Sequence, residues 1–174
     1  MKLVGVSGAN VGKKTSKAVQ ELLLAVNSLD SSIQTELVDL KDFEVEMVNG
    51  QPLSMYNEDT IEVVNTILSA DFLVFGTPVY QASIPGVLKN LLDHLPTDAF
   101  KQKVTGIVST AGSDKHFLSF LKGVIPATGV FIQSDCFNKE NEIEDSDLLI
   151  RIRQLAEEMI LLQRTLTDRA GEVN

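Results

Sequence analysis

Residues 77–95 read TPVYQASIPGVLKNLLDHL, and this stretch decides the fold that we predict for the chain. It follows an apolar run, Phe72–Phe75, which is typical of a strand buried on both faces. From Val87 to Leu95 the apolar residues recur at three- and four-residue spacing, which predicts a helix. Pro85 suits the first turn of that helix, because its missing N–H is not needed there. The intervening loop, with one aromatic residue at Tyr80, lies where open parallel sheets bind ligands.

The composition is typical of a globular protein that does not bind nucleic acid. The 174 residues are 44% hydrophobic and 22% charged, and the formal net charge is −9. Nucleic-acid binding needs clustered Lys and Arg, which an acidic chain disfavours. One cysteine and two histidines predict neither a disulfide nor a zinc site. The sequence has no signal-peptide core and no apolar run that would span a membrane, so we expect a cytoplasmic protein.

Strand-like and helix-like patterns alternate along the whole chain. The predicted strands are 2–7, 33–38, 72–76, 104–109 and 130–132, and the predicted helices lie around 18–26 and at 58–69, 85–95, 117–125 and 148–166. This alternation predicts one α/β domain over residues 1–174, a three-layer α/β/α arrangement with a doubly wound, five-stranded parallel sheet. The flavodoxin-like strand order 2-1-3-4-5 fits it, with the switch point between strands one and three. We expect residues 167–174 to be a frayed tail.

Three loops rich in Gly, Ser, Thr and Asn follow strands one, three and four of the predicted sheet. They span residues 7–16, 77–84 and 109–116. Because parallel strands end at the same edge of a sheet, the three loops should lie together. A hydrophobic core does not require polar loops there, so the pattern predicts a ligand site.

The first loop approaches two phosphate-binding motifs and satisfies neither. Gly5, Gly8 and Gly12 have the wrong spacing for the dinucleotide fingerprint, and the distance from Gly8 to Gly12 is one residue short for a P-loop. A nucleoside triphosphatase is therefore not predicted. The helix that follows begins near Lys14, Thr15 and Ser16. Its free N–H groups are suited to a phosphate, and the alternative is that Thr15 or Ser16 only caps the helix.

The remaining polar and aromatic residues have less specific interpretations. Tyr80 suits stacking on an aromatic ligand, or is a surface aromatic. His116 opens a predicted helix and is either solvated or in contact with a ligand. His94 lies near a helix end, which indicates a packing or dipole role. We assign no chemistry to Cys136, and the acidic cluster 140–147 is interpreted as solvated surface.

The stretch TPVYQASIPGVLKNLLDHLP closely resembles the signature T-P-x-Y-x-x-S-x-P-G-x-L-K-N-x-x-D of the NADPH-dependent FMN reductase family, which has a flavodoxin-like fold. Weaker similarity covers nearly the whole chain. Within the family, residues 77–96 and the stretch AGSDKHFL at 111–118 are most similar to reductases that supply reduced FMN to two-component alkanesulfonate monooxygenases. The chain lacks an aromatic insertion that those reductases carry after the equivalent of His116.

The resemblance implies an FMN site made by the three polar loops. The phosphate and ribityl chain would be held by Ser7, Asn10, Lys14, Thr15 and Ser16. The isoalloxazine would be lined by Pro78, Val79, Tyr80, Gln81 and Ser83, and its polar edge would be contacted by Thr110, Ala111, Gly112 and His116. Ala9 and Val11 stand where many members carry Ser and Arg, which shifts the phosphate contacts toward Lys14.

The function implied by the resemblance is an NAD(P)H-dependent FMN reductase. It would transfer hydride from NADPH, or NADH, to FMN without a side-chain catalytic residue and without a metal, since the flavin carries the chemistry. A flavin-dependent monooxygenase is a possible partner. One alternative is an FMN-containing quinone or azo-dye reductase. Another is a flavodoxin-like electron carrier, which the absence of Trp and the Lys13-Lys14 pair in the first loop disfavour.

A homodimer or homotetramer is the expected assembly. The apolar stripe at 117–125 is widened by Phe120, and the last predicted helix carries more Leu than one buried face requires. Exposed apolar patches of this kind mark interfaces.

Overall fold

The computed structural model describes residues 1–80, 83–110, 130–133 and 136–171, and the side chains of the last helix up to residue 168. The described strands are β1 (Lys2–Ser7), β2 (Gln34–Asp39), β3 (Phe72–Pro78), β4 (Thr105–Thr110) and β5 (Val130–Ile132). The described helices are α1 (Lys14–Leu29), α2 (Glu58–Leu68), α3 (Gly86–His94) and α4 (Ser146–Gly171). The predicted helix at 117–125 lies outside the described residues.

The five strands form one parallel sheet in the order β2-β1-β3-β4-β5. This is the predicted flavodoxin-like order, and the prediction is confirmed. In the register, Ser7 at the end of β1 lies opposite Asp39 on one side and Gly76 on the other. At the end of β3, Pro78 lies opposite Thr110. The carboxyl ends of β1, β3 and β4 are thus neighbours at one edge, where the polar loops begin.

Helices cover both faces of the sheet, as the fully buried apolar strands require. On one face, α1 and α4 pack on residues such as Leu3, Phe72 and Val108. On the other, α2 and α3 pack on residues such as Val4 and Phe75. The result is three layers with two separate hydrophobic clusters.

Gly76 brings α1 close to the sheet near the switch point. A Cβ atom built at Gly76 would lie 2.3 Å from Cγ2 of Val19 and 3.1 Å from Cγ2 of Thr15. A side chain at this position would therefore displace the helix. Because Gly76 has no side chain, the first turn of α1 packs directly over the ends of β1 and β3.

Several element boundaries differ from the sequence prediction for local reasons. β2 begins one residue later than predicted, because the N–H of Ile33 bonds the carbonyl of Asp30 in a turn. β3 continues to Pro78, because its pairing with β4 continues through Thr77 and Pro78. α4 is helical to Gly171, beyond the point where the sequence predicts fraying.

Within the described ranges, no helix has both the length and the apolar character that crossing a bilayer requires.

Candidate functional site

The loop after β1 turns sharply and then exposes its backbone. The N–H of Gly8 donates to the carbonyl of Gly76 at 2.8 Å, which fixes the start of the loop on β3. Ala9 is buried, whereas Asn10 is exposed and Val11 is 72% exposed. Gly12 has φ +83° with no atom within 4 Å of its missing Cβ, so its backbone takes the left-handed conformation in open space.

The first turn of α1 has no side-chain cap. Lys13 is the N-cap residue and makes no side-chain capping bond. The hydroxyl of Ser16 donates to the carbonyl of Lys13 at 3.1 Å, so it satisfies no N–H of the helix. The alternative that Thr15 or Ser16 caps α1 is therefore wrong. Among the residues that the structure describes, the backbone N–H groups of Thr15 and Ser16 have no acceptor. Free N–H groups at the start of a helix are suited to an anion.

Ser7 adds a buried hydroxyl without a partner at the same place. Its side chain is 0% exposed, and its Oγ has no hydrogen bond to any described residue. Ser7 shares a sheet face with Gly5, against which Val19 and Leu23 of α1 pack. It therefore lies on the α1 side of the sheet, at the end of β1. Buried polar groups are almost always hydrogen-bonded, so the Ser7 hydroxyl is open to a bound water or ligand.

Thr15 and Thr110 connect the first and third loops. Their hydroxyl oxygens are 2.9 Å apart, and the two residues are only 4% and 8% exposed. The sequence predicts both as FMN contacts, but their hydroxyls bond each other across the sheet edge. The contact holds the start of α1 against the end of β4.

The described residues after β3 include Tyr80 and Ser83, which pair with each other. The N–H of Val79 donates to the carbonyl of Thr110 at 3.2 Å. Tyr80 and Ser83 exchange two backbone hydrogen bonds, of 2.9 and 3.0 Å. Pro78 is buried, Ser83 is exposed, and Tyr80 is 46% exposed. Tyr80 therefore offers an accessible aromatic ring at the edge formed by the carboxyl ends of β1, β3 and β4.

Lys14 lies over the aromatic ring of Phe137, a contact that the sequence does not predict. Its Nζ is 5.3 Å from the centroid of Phe137, a residue that follows β5. A cation over a ring face is a favourable contact. It positions the Lys14 ammonium on the α1 side of the sheet, near the helix start.

Ten of the predicted site residues thus lie at this edge of the sheet: Ser7, Asn10, Lys14, Thr15, Ser16, Pro78, Val79, Tyr80, Ser83 and Thr110. The other four, Gln81, Ala111, Gly112 and His116, lie outside the described residues.

The second half of the signature stretch anchors a different loop. Asn90 is 5% exposed; its Nδ2 donates to the carbonyl of Glu46 at 2.9 Å, and its Oδ1 accepts from the N–H of Val48 at 2.9 Å. Lys89 pairs with Asp93 four residues later, at 2.5 Å. Sequence reasoning missed both roles, although a Lys–Asp pair at this spacing is the ordinary signal of a helix-surface ion pair.

Of the two roles that the sequence indicates for His94, packing and interaction with the helix dipole, the structure shows the packing role. Its Nε2 lies 2.8 Å from the carbonyl oxygen of Glu46. Its ring meets that of Tyr56 edge to face, with centroids 4.6 Å apart. Both partners belong to the irregular segment 41–57, so His94 stabilises that segment.

Comparisons with known proteins identify the family. A family model described as NADPH-dependent FMN reductase matches residues 1–132. The chain is 37% identical to an NAD(P)H-dependent FAD/FMN reductase of Geobacillus thermodenitrificans over 95% of each chain. It is 26% identical to an FMN-dependent NADPH-azoreductase of Staphylococcus aureus, over 91% of this chain and 92% of the relative. A solved oxidoreductase from Corynebacterium diphtheriae shares the fold with TM-score 0.77 and 24% identity, covering 95% of this chain and 98% of that one.

Proposed function

The chain belongs to the NADPH-dependent FMN reductase family, and we propose that it binds FMN across the carboxyl ends of β1, β3 and β4. The observation that supports this site is the convergence of unused donors at the switch point. The buried hydroxyl of Ser7 and the backbone N–H groups of Thr15 and Ser16 have no partner among the described residues. Such a set fits a phosphate and the hydroxylated chain attached to it.

The phosphate end of FMN would lie against the loop 7–16. A phosphate monoester carries about two negative charges and accepts several hydrogen bonds. The N–H groups of Thr15 and Ser16 and the Lys14 ammonium would supply donors and positive charge there. The Ser16 hydroxyl would exchange its bond to the Lys13 carbonyl for one to the phosphate, and Ser7 and Asn10 would bond the ribityl chain. The helix dipole adds to this attraction.

The ring end of FMN would lie between the turn 78–83 and Thr110. Tyr80 offers an exposed aromatic face for stacking, while Pro78, Val79 and Ser83 would line the ring. Bound FMN supplies the hydride-transfer chemistry, so the side chains need only bind it, orient it and leave room for NADPH or NADH. No side chain is assigned a catalytic role.

Steady-state oxidation of NADPH, with and without added FMN, tests the proposal directly. We expect turnover that requires FMN, together with a change in the flavin spectrum on mixing with the protein. An electron carrier would change the spectrum without turnover. The absence of both signals at micromolar protein would contradict the proposed function.

The azoreductase relative from Staphylococcus aureus supports a second candidate activity at the same site. In that case the enzyme would retain FMN and pass electrons to a quinone or an azo dye. Dye decolourisation and quinone reduction, measured at fixed NADPH without free FMN, separate the two activities. Faster turnover with added FMN than with either acceptor would favour release of reduced FMN to a partner monooxygenase.

A homodimer or homotetramer is also proposed. Leu149, Ile150 and Leu161 on α4 are 37%, 54% and 66% exposed, which supports an apolar contact surface. Light scattering at micromolar concentration should give a multiple of the 19.0 kDa chain mass. A value near one chain would refute the assembly.

A further inference from the structure

Phe137 lies against the lysine that begins α1. The Nζ atom of Lys14 is 5.3 Å from the centroid of the Phe137 ring, close enough for the ring face to attract the cation. The two residues are far apart in the sequence, and Phe137 lies beyond residues 1–132, the part of the chain that the family model matches. Membership of the family therefore assigns Phe137 no role.

The Phe137 ring is held by the core and by the turn that follows it. Phe137 is 9% exposed and belongs to the hydrophobic cluster on which α1 and α4 pack. Its backbone pairs with that of Ile143 in an antiparallel bridge, and the N–H of Asn138 donates to the carbonyl of Glu142 at 2.9 Å. The Oδ1 atom of Asn138 also accepts from the N–H groups of Glu140 and Glu142, at 3.0 and 2.9 Å. The ring therefore has little freedom to move.

An aromatic ring restricts a lysine side chain without neutralising its charge. A lysine side chain has several rotatable bonds, and ordering them when a ligand binds costs conformational entropy. Contact with the Phe137 ring limits that freedom in advance. A carboxylate partner would compete with a phosphate for the ammonium, whereas a ring face attracts the ammonium and carries no net charge. An ammonium held over a ring thus keeps its charge for an anionic ligand.

We propose that Phe137 is a positioning residue for the flavin phosphate, because it holds the Lys14 ammonium beside the start of α1. The inference rests on the proposed function, which places the phosphate there. It adds a residue from the segment after β5 to a site otherwise made by the loops after β1, β3 and β4. Phe137 would not touch the ligand, and its effect on FMN binding would pass through Lys14.

A double-mutant cycle of Phe137→Leu and Lys14→Met tests the inference, with FMN and riboflavin affinities measured by fluorescence quenching. We expect Phe137→Leu to lower the ratio of FMN to riboflavin affinity about twofold to tenfold, as the ordering of one lysine side chain predicts. Lys14→Met should lower the ratio about tenfold to hundredfold, through loss of a charged contact. Adding Phe137→Leu to Lys14→Met should lower it no further. Phe137→Tyr keeps the ring face and should keep the wild-type ratio.

Phe131→Leu is the matched control for Phe137→Leu. Phe131 lies on β5, and within the described ranges no cation lies over its ring. This variant should leave the ratio of FMN to riboflavin affinity unchanged. If Phe137→Leu does not fold, Phe137→Met places an unbranched apolar side chain at the same position and should show the same loss.

Three results would overturn the inference. An unchanged ratio in folded Phe137→Leu or Phe137→Met would mean that the ring does not position Lys14. Equal weakening of FMN and riboflavin would mean that Phe137 acts on the flavin ring or on the fold as a whole. A further loss in the double variant would mean that Phe137 acts without Lys14. If the wild type does not bind FMN, the proposed function fails too, whereas a loss in Lys14→Met without a loss in Phe137→Leu refutes this inference alone.

Discussion

The loops that follow β1 and β2 leave the same edge of the sheet, yet they satisfy their backbone groups in opposite ways. In the long segment 41–57, side chains accept hydrogen bonds from backbone N–H groups. The N–H groups of Glu44, Glu46, Val48 and Asn49 donate to the side chains of Asp59, Thr60, Asn90 and Tyr56, respectively. In the short loop 8–13, the N–H of Gly8 bonds β3, and the N–H groups from Asn10 to Lys13 have no partner within the described residues.

The difference shows that irregularity is a poor guide to function. The long segment is the least regular part of the sequence, but its backbone N–H groups are satisfied by side chains of the protein itself. The short loop retains its donors, and exposed or buried donors without partners are what a ligand can satisfy. The following four changes test this contrast, from the largest expected effect to the smallest.

Asn90→Ala should produce the largest loss of stability. It removes the side chain that bonds both Glu46 and Val48, and each buried group left without a partner costs about 1–3 kcal/mol. We expect the free energy of unfolding to fall by about 2–4 kcal/mol, while FMN affinity at a temperature where the variant is folded stays the same. Denaturant unfolding and FMN titration measure the two quantities.

The control for Asn90→Ala is Asn65→Ala, at an exposed position on α2. It should change stability by less than about 0.5 kcal/mol. A large loss of FMN affinity in folded Asn90→Ala would mean that the long segment belongs to the ligand site.

Ser16→Ala should weaken FMN binding and leave stability nearly unchanged. A hydrogen bond to a charged group is worth about 1.5–3 kcal/mol, which corresponds to about a tenfold to hundredfold loss of affinity. Riboflavin has no phosphate, so its affinity should stay constant. Fluorescence quenching gives the ratio of FMN to riboflavin affinity, which decides the outcome.

Ser28→Ala is the matched control for Ser16→Ala. Its hydroxyl donates to the carbonyl of Ala25 at 2.8 Å, the same type of contact that Ser16 makes with Lys13, but at the far end of α1. An equal ratio of FMN to riboflavin affinity in wild type, Ser16→Ala and Ser28→Ala would exclude a phosphate contact at Ser16.

Gly12→Ala and Gly50→Ala form a matched pair across the two loops. Both glycines have φ +83° and nothing within 4 Å of the missing Cβ. Alanine in this left-handed conformation costs about 1–2 kcal/mol, so both variants should lose similar stability in denaturant unfolding. We expect only Gly12→Ala to weaken FMN binding as well, because it changes the shape of the loop that we propose to hold the phosphate. Equal FMN affinities in the two variants would contradict the assignment of the ligand to the first loop.

Lys41→Met should have the smallest effect, and one that depends on pH. The hydrogen bond to Asp39 raises the pKa of the Lys41 ammonium above 10.5, partly opposed by burial and aided by attraction to Asp39 and Asp42. A raised lysine pKa contributes stability that is complete below 10.5 and is lost as the pH rises through the folded-state value. Because Lys41 is partly exposed, we expect a loss of up to about 1 kcal/mol at neutral pH.

Unfolding of wild type and Lys41→Met as a function of pH measures this contribution. The difference between them should shrink as the pH rises above 10.5. Lys139→Met, at an exposed position, should show no such trend. A constant difference at all pH values would mean that Lys41 acts through its apolar stem.

Much of the fold could be predicted because its signals are local. The bounds of β1 and β5 agree with the prediction. The alternation of apolar runs with amphipathic segments predicted a parallel sheet, and the flavodoxin-like strand order fitted the polar loops after strands one, three and four. The family resemblance at 77–95 and the position of the three polar loops also required only neighbouring residues. Pattern and propensity act over a few residues, so a single sequence carries them.

The partners of individual polar groups were decided by tertiary structure alone. Thr15 and Thr110 bond each other although they are 95 positions apart. Asn90, inside the signature, anchors a segment 42 and 44 positions earlier. The sequence by itself determined the sheet, its order and the edge at which we propose that the ligand binds. Only the packed chain decided which donors there are already used and which, like the Ser7 hydroxyl, have no partner among the described residues. The reason is that hydrogen bonds between distant residues form only when the layers bring them together.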